Sequence, residues 1–286
     1  MFSVGLCKKK EPHHDSNVQP GSGGLFGTVI SDVGCVRENN EDNFVFGRNI
    51  NRDSVDRCRI DVSYSEFPNE WLAACVFDGM GDGAMGEVAS HNTAEIFLDV
   101  LNGLTGFQAK AEVDLILRKA FLEANNHIIS LRRESSILGT TAAVFCSNGS
   151  EFKVYYLGDS RVYLVRNEEM VQLTKDQTLA QMKIDAGIYF RDDPMVRVDK
   201  HKLTDYIGRD QTRENMKPEE SPWFSFQKGD RILLCSDGLT NMCTDDEISG
   251  ILAQTASASN AAGRLIDAAK ANGGADNITC IVIFCS

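Results

Sequence analysis

From Leu25 onward the apolar residues of this chain fall into two alternating kinds of run. Short blocks rich in β-branched and aromatic residues, "LFGTVISDVG", "NFVFGRN" and "WLAACVF", read as strands. The third lacks polar alternation, which predicts burial on both faces. Residues 48–69, before it, read as an irregular insertion. Two stretches near helical spacing follow: one over 86–101 with Val88, Ile96, Phe97, Val100 and Leu101, and one over 111–132 with Leu115, Ala120, Phe121, Ala124 and Ile128. A meander comes next, in which "TTAAVFCS" turns at Asn148-Gly149 into "FKVYYLG", and "SRVYLVR" turns at "NEE" into "MVQLT". Residues 176–207 are polar and without period, with Gly187 and Pro194, and predict a surface flap centred on about 178–200. "RILLCSD" returns to strand. The capping box from Thr244 to Glu247 opens a helix, a second helix is expected over 259–271, and "ITCIVIFC" closes the chain as a strand. Helices arriving in pairs between hairpin-linked strands predict an α+β sandwich, with antiparallel sheets inside and helices outside.

Composition narrows this picture. A chain of 286 residues, 42% of them apolar, can bury a substantial core. Residues 1–24 are rich in Pro, Gly, Ser and charge and predict a mobile tail, in which His13 and His14 read as polar tail residues rather than metal ligands. Residues 25–286 read as one domain. A formal net charge of −12 argues against nucleic acid as a partner, because phosphate-backbone binding depends on clustered Lys and Arg. The nine cysteines include no C-x-x-C pair and several lie inside apolar strands, the usage of a reducing compartment. No apolar stretch approaches the roughly 20 residues of a membrane span, and "MFSVGLCKKK" has its charges in the wrong order for a secretory signal. A cytoplasmic protein without a membrane partner is expected.

One pattern carries chemistry. "WLAACVF" and "RILLCS" each deliver an aspartate and then a glycine, Asp78-Gly79 and Asp237-Gly238, and Asp276 stands at the mouth of the last strand. Any one Asp-Gly is an ordinary turn. Three at the ends of buried strands, joined by Glu41 and Asp42 between the first two strands, predict carboxylates converging in one cleft. Their repulsion calls for cations, and oxygen-only ligation with no histidine in these segments suits Mg2+ or Mn2+ and disfavours zinc. Two such ions serve in-line attack on phosphorus, so phosphate-ester hydrolysis is the chemistry suggested. Arg37, four residues before the acidic pair, has the planar fork suited to a phosphate. Gly79, Gly81 and Ala84 also fit a dinucleotide-binding turn. That reading needs an acid after the next strand, and the acid at that distance, Asp99, falls inside a helical pattern.

Taken together, "SDVGCVRENNEDNF" (31–44), "VFDGMGDGAMGEVAS" (76–90), "LGTTAAVF" (138–145), "YLGDSRVYLVR" (156–166), "QLTKDQ" (172–177), "LTDYIG" (203–208), "GDRILLCSDGLTNMCTDDEI" (229–248) and "GGADNITCIVI" (273–283) resemble the metal-dependent serine/threonine protein phosphatases of type 2C, the PPM family, in its bacterial form. They stand in the family's order and cover essentially all of 25–286. The resemblance implies a four-layer αββα sandwich with a binuclear Mn2+ or Mg2+ centre at one end. It implies that Asp78 bridges both ions, that Gly79 gives one its carbonyl, that Glu41, Asp42, Asp237 and Asp276 complete the shell, and that Arg37 binds phosphate. Asp159 matches the position that helps hold a third, weaker ion. The implied reaction is hydrolysis of phosphoserine and phosphothreonine in proteins by direct attack of water, with a serine/threonine kinase or its targets as the opposing partner and a monomer as the working form.

The family usually carries a histidine right after Asp-Gly or just beyond the next glycines, where this chain has Met80 and Gly83, and Gln177 replaces the usual histidine of the "LTxDH" stretch. The general acid is therefore open between a metal-bound water and His91, which also reads as an ordinary helix-face residue. A reading of a different class keeps the fold as an inactive phosphoprotein-binding module. Five retained carboxylates weigh against it.

Overall fold

Strands β1 (Leu25–Asp32) and β13 (Ile278–Cys285) lie side by side, antiparallel, from Leu25 opposite Cys285 to Asp32 opposite Ile278, so the two ends of the described fold share one sheet. The computed structural model describes residues 24–52, 57–63, 70–82, 85–132, 137–210 and 217–286. Residues 1–23 of the tail expected over 1–24, the histidines in it, and Gly83 and Ala84 lie outside the described residues.

Between these ends run β2 (Asp42–Phe46), β3 (Arg57–Ser63), β4 (Leu72–Gly81), helices α1 (Met85–Asn102) and α2 (Lys110–Leu131), and strands β5 (Leu138–Thr140), β6 (Ala142–Ser147), β7 (Glu151–Leu157), β8 (Arg161–Arg166) and β9 (Glu169–Gln172). Helices α3 (Leu179–Asp185) and α4 (Val196–Asp199), short strands β10 (Glu219–Glu220) and β11 (Phe224–Ser225), strand β12 (Arg231–Cys235), and helices α5 (Asp237–Thr240), α6 (Asp245–Gln254) and α7 (Ala258–Ala271) complete the order before β13. One sheet has the order β3-β1-β13-β12-β8-β9 and the other β10-β7-β6-β4-β2, with β11 on β7 and β5 on β4. The pairings between these strands are antiparallel, as expected.

Three apolar layers hold the sandwich. Alternate residues of β6 divide between two of them: Ala143 and Phe145 face the other sheet, and Ala142, Val144 and Cys146 face α1 and α2. Both faces being covered is why such strands read as unbroken apolar runs. Between the sheets lie Val29, Phe44, Phe145, Leu234 and Ile281. Under α1 and α2, Phe97 packs on Phe77 at 5.3 Å and edge-on to Phe121 at 5.1 Å. On the opposite side Ile248, Leu252, Leu265 and Ile266 seat α6 and α7 on Leu233 and Val282. Each such fully buried side chain contributes about 1.5–3 kcal/mol.

The capping box of α6 is formed: the Thr244 hydroxyl accepts from the Glu247 amide, and the Glu247 carboxylate accepts from the Thr244 amide at 2.8 Å. The "NEE" turn is a two-residue loop with Asn167 and Glu168 at φ 53° and 68°, the conformation that matches strand twist in a hairpin.

Four expectations are corrected. Residues 48–69 are not wholly irregular, because β3 within them pairs with β1 along its length. Its charged Arg57, Arg59 and Asp61 alternate with Cys58, Ile60 and Val62, the pattern of an edge strand. The segment 176–207 contains α3 and α4, which are too short to show a helical period. Leu115 and Val88 point to solvent, since the buried stripe of α2 runs through Val113, Leu117, Ala120, Phe121 and Ala124, and that of α1 through Ala89, Thr93, Ala94 and Phe97. The block "TTAAVFCS" is broken at Thr141 into β5 and β6, for a reason found in the site.

Candidate metal centre

The C-terminal ends of β4 and β12 and the N-terminal ends of β2 and β13 meet at one end of the sandwich. Asp42 of β2 stands directly opposite Asp78 of β4. Asp237 follows β12 as the first residue of α5, and Asp276 precedes β13. Asp159 lies in the crossing from β7 to β8, between the two sheets. Asp78, Asp159, Asp237 and Asp276, with Arg37, Glu41, Gly79, Met80, Thr141, His201 and Asn277, line a cleft of about 480 Å³; Asp42 is buried opposite Asp78, behind the lining.

Backbone and second-row contacts fix the carboxylates. The Asp78 amide donates to the Thr141 hydroxyl at 3.0 Å, and the Asp78 carbonyl accepts from the Thr140 hydroxyl and the Thr141 amide, both at 2.8 Å. Serving Asp78 from both sides is what breaks the strand at Thr141. The Ser236 hydroxyl donates to Asp42 at 2.7 Å, and its oxygen accepts from the Thr279 amide at 3.0 Å, which ties the two sheets together beneath the cleft. The Asn277 side chain accepts from the Glu41 amide at 2.8 Å and donates to the carbonyls of Val33 and Asn39. Asn241 donates to Asp237 at 2.8 Å.

Close packing explains the glycines. A Cβ on Gly79 would land on the carbonyl of Gly86 at the start of α1 and within 2.6 Å of the Glu41 carbonyl. This brings the Glu41 carboxyl to the N-terminal turn of α1, where helix amides favour negative charge. Gly238 is pressed equally close to the Asn277 carbonyl.

Burial pushes the Asp78 and Asp159 carboxyls well above the ordinary range, with neighbouring carboxylates adding to it. Burial raises Asp42 to about 7 against the hydrogen bonds from Ser236 and Thr279, and raises Asp237 and Glu41. These are the electrostatics of oxygen donors crowded together out of water. Burial works against the charge of Arg37, but Asp276, Glu41 and Asp78 outweigh it, and its Nη2 meets Asp276 Oδ2 at 2.9 Å.

The donor set fits a pair of hard divalent cations: carboxylates and a backbone carbonyl, with Glu41 Oε1 buried and without a hydrogen-bond partner. Among the described residues no three His, Cys, Asp or Glu side chains are already drawn together tightly enough to hold an ion.

Every residue singled out from the sequence, Arg37, Glu41, Asp42, Asp78, Gly79, Asp159, Asp237 and Asp276, is at this end of the sandwich. His91 is not: it lies on α1 with Nε2 3.5 Å from Glu95. Sequence reasoning missed Thr141, Ser236, Asn277 and Thr279, which support the carboxylates, and His201, whose Nδ1 is 3.9 Å from Asp237 Oδ2 at the cleft wall. Gln177 is not in the cleft lining; its side chain accepts from the Gly158 amide at 2.7 Å, tying the stretch after β9 to the crossing from β7 to β8.

Comparison with known proteins bears on the family and the fold. The family described as protein phosphatase 2C matches residues 31–183. Serine/threonine phosphatase stp of Listeria welshimeri is 32% identical over 258 residues, spanning 88% of this chain and 93% of that protein. Serine/threonine protein phosphatase PstP of Mycobacterium tuberculosis is 30% identical over 256 residues, spanning 88% of this chain and 43% of its own greater length. The crystal structure of the catalytic domain of PstP in complex with two manganese ions superposes with a TM-score of 0.72 at 28% identity, covering 92% of this chain and 99% of that one. With its carboxylates gathered between two antiparallel sheets and relatives matched along nearly its whole described length, this chain belongs to the protein phosphatase 2C family.

Proposed function

We propose that this chain hydrolyses phosphoserine and phosphothreonine in proteins, with Glu41, Asp42, Asp78, Gly79, Asp237 and Asp276 holding two Mn2+ or Mg2+ ions. The observation that carries the reading is the opposition of Asp42 and Asp78 across β2 and β4, with Asp237 and Arg37 on the same cleft. When bound, such ions activate water for attack on phosphorus and offset charge on the phosphoryl oxygens. The chain's own residues do the rest. Asp78 is held by Thr140 and Thr141 so that its carboxyl faces Asp42, and Ser236 orients Asp42 from below. Arg37, half exposed at the cleft rim, exchanges its contact with Asp276 for two oxygens of the incoming phosphate. No cysteine serves as nucleophile: Cys75, Cys146, Cys235 and Cys280 are fully buried and their thiols are pushed upward by burial.

Asp159, whose carboxyl faces the charge of Asp237, is assigned to a third, weaker ion. The assigned setting is cytoplasmic, with a serine/threonine kinase or its targets as the opposing partner, and the eight described cysteines are free thiols in keeping with a reducing compartment. The test is Mn2+-dependent phosphate release from a phosphopeptide. Activity that survives both EDTA and Asp78→Asn overturns the reading.

A further inference from the structure

Breaking a phosphoserine ester leaves an alkoxide, and the bond yields readily only if a proton reaches that oxygen as it departs. Few of the described groups lining this cleft can supply one. Arg37 keeps its protons in proteins. The Thr141 hydroxyl is engaged by the Asp78 amide and Ser160, and the Asn277 side chain by Glu41, Val33 and Asn39. The carboxyls are assigned to cations. Met80, beside Asp78, is a thioether. His201 remains.

Its place in the fold is fixed from both sides. Lys200 Nζ donates to Asn241 Oδ1 at 2.6 Å, and Asn241 in turn donates to Asp237. On the other side Lys202 Nζ donates to the buried Asp199 at 2.8 Å, the Leu179 amide donates to the Lys202 carbonyl, and the Thr204 amide donates to the Gln177 carbonyl. Gln177 is itself bonded to Gly158, next to Asp159. The backbone is thus pinned while the imidazole stands 53% exposed at the cleft wall, its Nδ1 3.9 Å from Asp237 Oδ2 and beyond hydrogen-bond reach. The other described histidines are elsewhere: His91 beside Glu95, and His127 bonded to Asn92 at 3.1 Å.

We propose that His201 is a catalytic residue that meets the leaving seryl or threonyl oxygen and protonates it, an assignment that rests on the phosphatase reading above. In the step, a water oxygen forms a new bond to phosphorus as the bond from phosphorus to the side-chain oxygen breaks. The electron pair of the broken bond stays on the side-chain oxygen, which takes a proton from the imidazolium of His201. The attacking water's surplus proton passes to solvent, and a solvent proton restores His201, leaving inorganic phosphate and a free hydroxyl side chain. The segment after α4 thereby supplies a group that Met80, near the end of β4, does not offer.

The test compares His201→Ala and His201→Asn with the wild type at saturating Mn2+, on a phosphoserine peptide and on p-nitrophenyl phosphate, whose phenolate departs without a proton. Peptide kcat is expected to fall roughly 100-fold, the lower end of general-acid contributions. The ratio of peptide kcat to aryl-ester kcat should fall at least about tenfold, with Mn2+ affinity by calorimetry close to wild type. Equal losses on both substrates, no loss on either, or a matching loss of Mn2+ affinity overturns the assignment. Wild-type protein inactive on both substrates overturns the phosphatase reading, and this assignment with it.

Discussion

Asp42 and Asp78 face one another across adjacent antiparallel strands, and the Ser236 hydroxyl, from the other sheet, donates to Asp42 at 2.7 Å. Two carboxyls in direct cross-strand register, that of Asp42 buried and that of Asp78 partly so, are costly unless a cation or a proton separates them. Replacing Asp78 by Asn keeps the shape and the Thr141 contacts while removing one charge. Phosphatase activity should fall by roughly three orders of magnitude, corresponding to about 4 kcal/mol of transition-state stabilisation. Calorimetry should show Mn2+ affinity lost along with it. Full activity in this variant would remove Asp78 from the centre.

Metal-free protein should lose stability as pH rises. Burial lifts Asp42 to about 7 and raises Glu41, Asp78, Asp159 and Asp237 above their ordinary range. The unfolded chain gives up these protons near pH 4, so between about pH 4 and 7 the folded state holds more protons than the unfolded one, and stability falls with rising pH. Thermal melts in EDTA should therefore shift downward from about pH 5 to 7.5, with Asp42→Asn flattening the slope. Mn2+ should restore the melting temperature at the upper end. A melting temperature that rises with pH in EDTA would contradict the buried-carboxyl account.

Arg37 is bonded to Asp276 but half exposed, so its guanidinium can turn to a substrate without breaking the fold. Arg37→Ala should raise KM for a phosphopeptide about tenfold or more and leave the melting temperature nearly unchanged. Arg37→Lys should recover only part of the loss, because an ammonium cannot hold two phosphate oxygens side by side. Steady-state kinetics separates the outcomes: a kcat effect without a KM effect would place Arg37 outside substrate binding.

What was legible in the sequence follows from how each residue is delivered. Asp78 and Asp237 end apolar strands and are followed by glycine, so a local pattern carries them, and the carboxylate cluster follows once those strands share an end. Ser236, Asn277 and Thr279 act on groups distant in the chain, such as Ser236 on Asp42, and carry no local signal. His201 follows α4, in a stretch whose order comes from the Asp199 contacts with Lys183 and Lys202, not from an apolar period. β3 does alternate, but its exposed positions are charged and its neighbour β1 lies far off in sequence. Leu115 reads from the sequence as a buried residue because apolar content alone does not locate a helix stripe when Val113 and Leu117 lie on either side of it.

Gly79 separates the role of position from the role of ligand chemistry. Its backbone is not in the left-handed region, so alanine is not disfavoured by conformation. The obstacle is the carbonyl of Gly86 together with that of Glu41, both backbone atoms that cannot rotate aside. Gly79→Ala must therefore push the end of β4 away from the start of α1, and with it Asp78 from Glu41, whose amide is held by Asn277. Every carboxylate remains, yet Mn2+ affinity and phosphate release should both fall at least about 100-fold, since a misplacement near 1 Å is enough to cost that much. Gly250→Ala is the matched control: it lies in α6 with nothing within 4 Å of the added methyl, and alanine there should stabilise by up to about 1 kcal/mol. Calorimetry and thermal melts on the pair decide the matter. If Gly79→Ala binds Mn2+ as Gly250→Ala does, the close approach of β4 to α1 is not what sets the geometry of the centre.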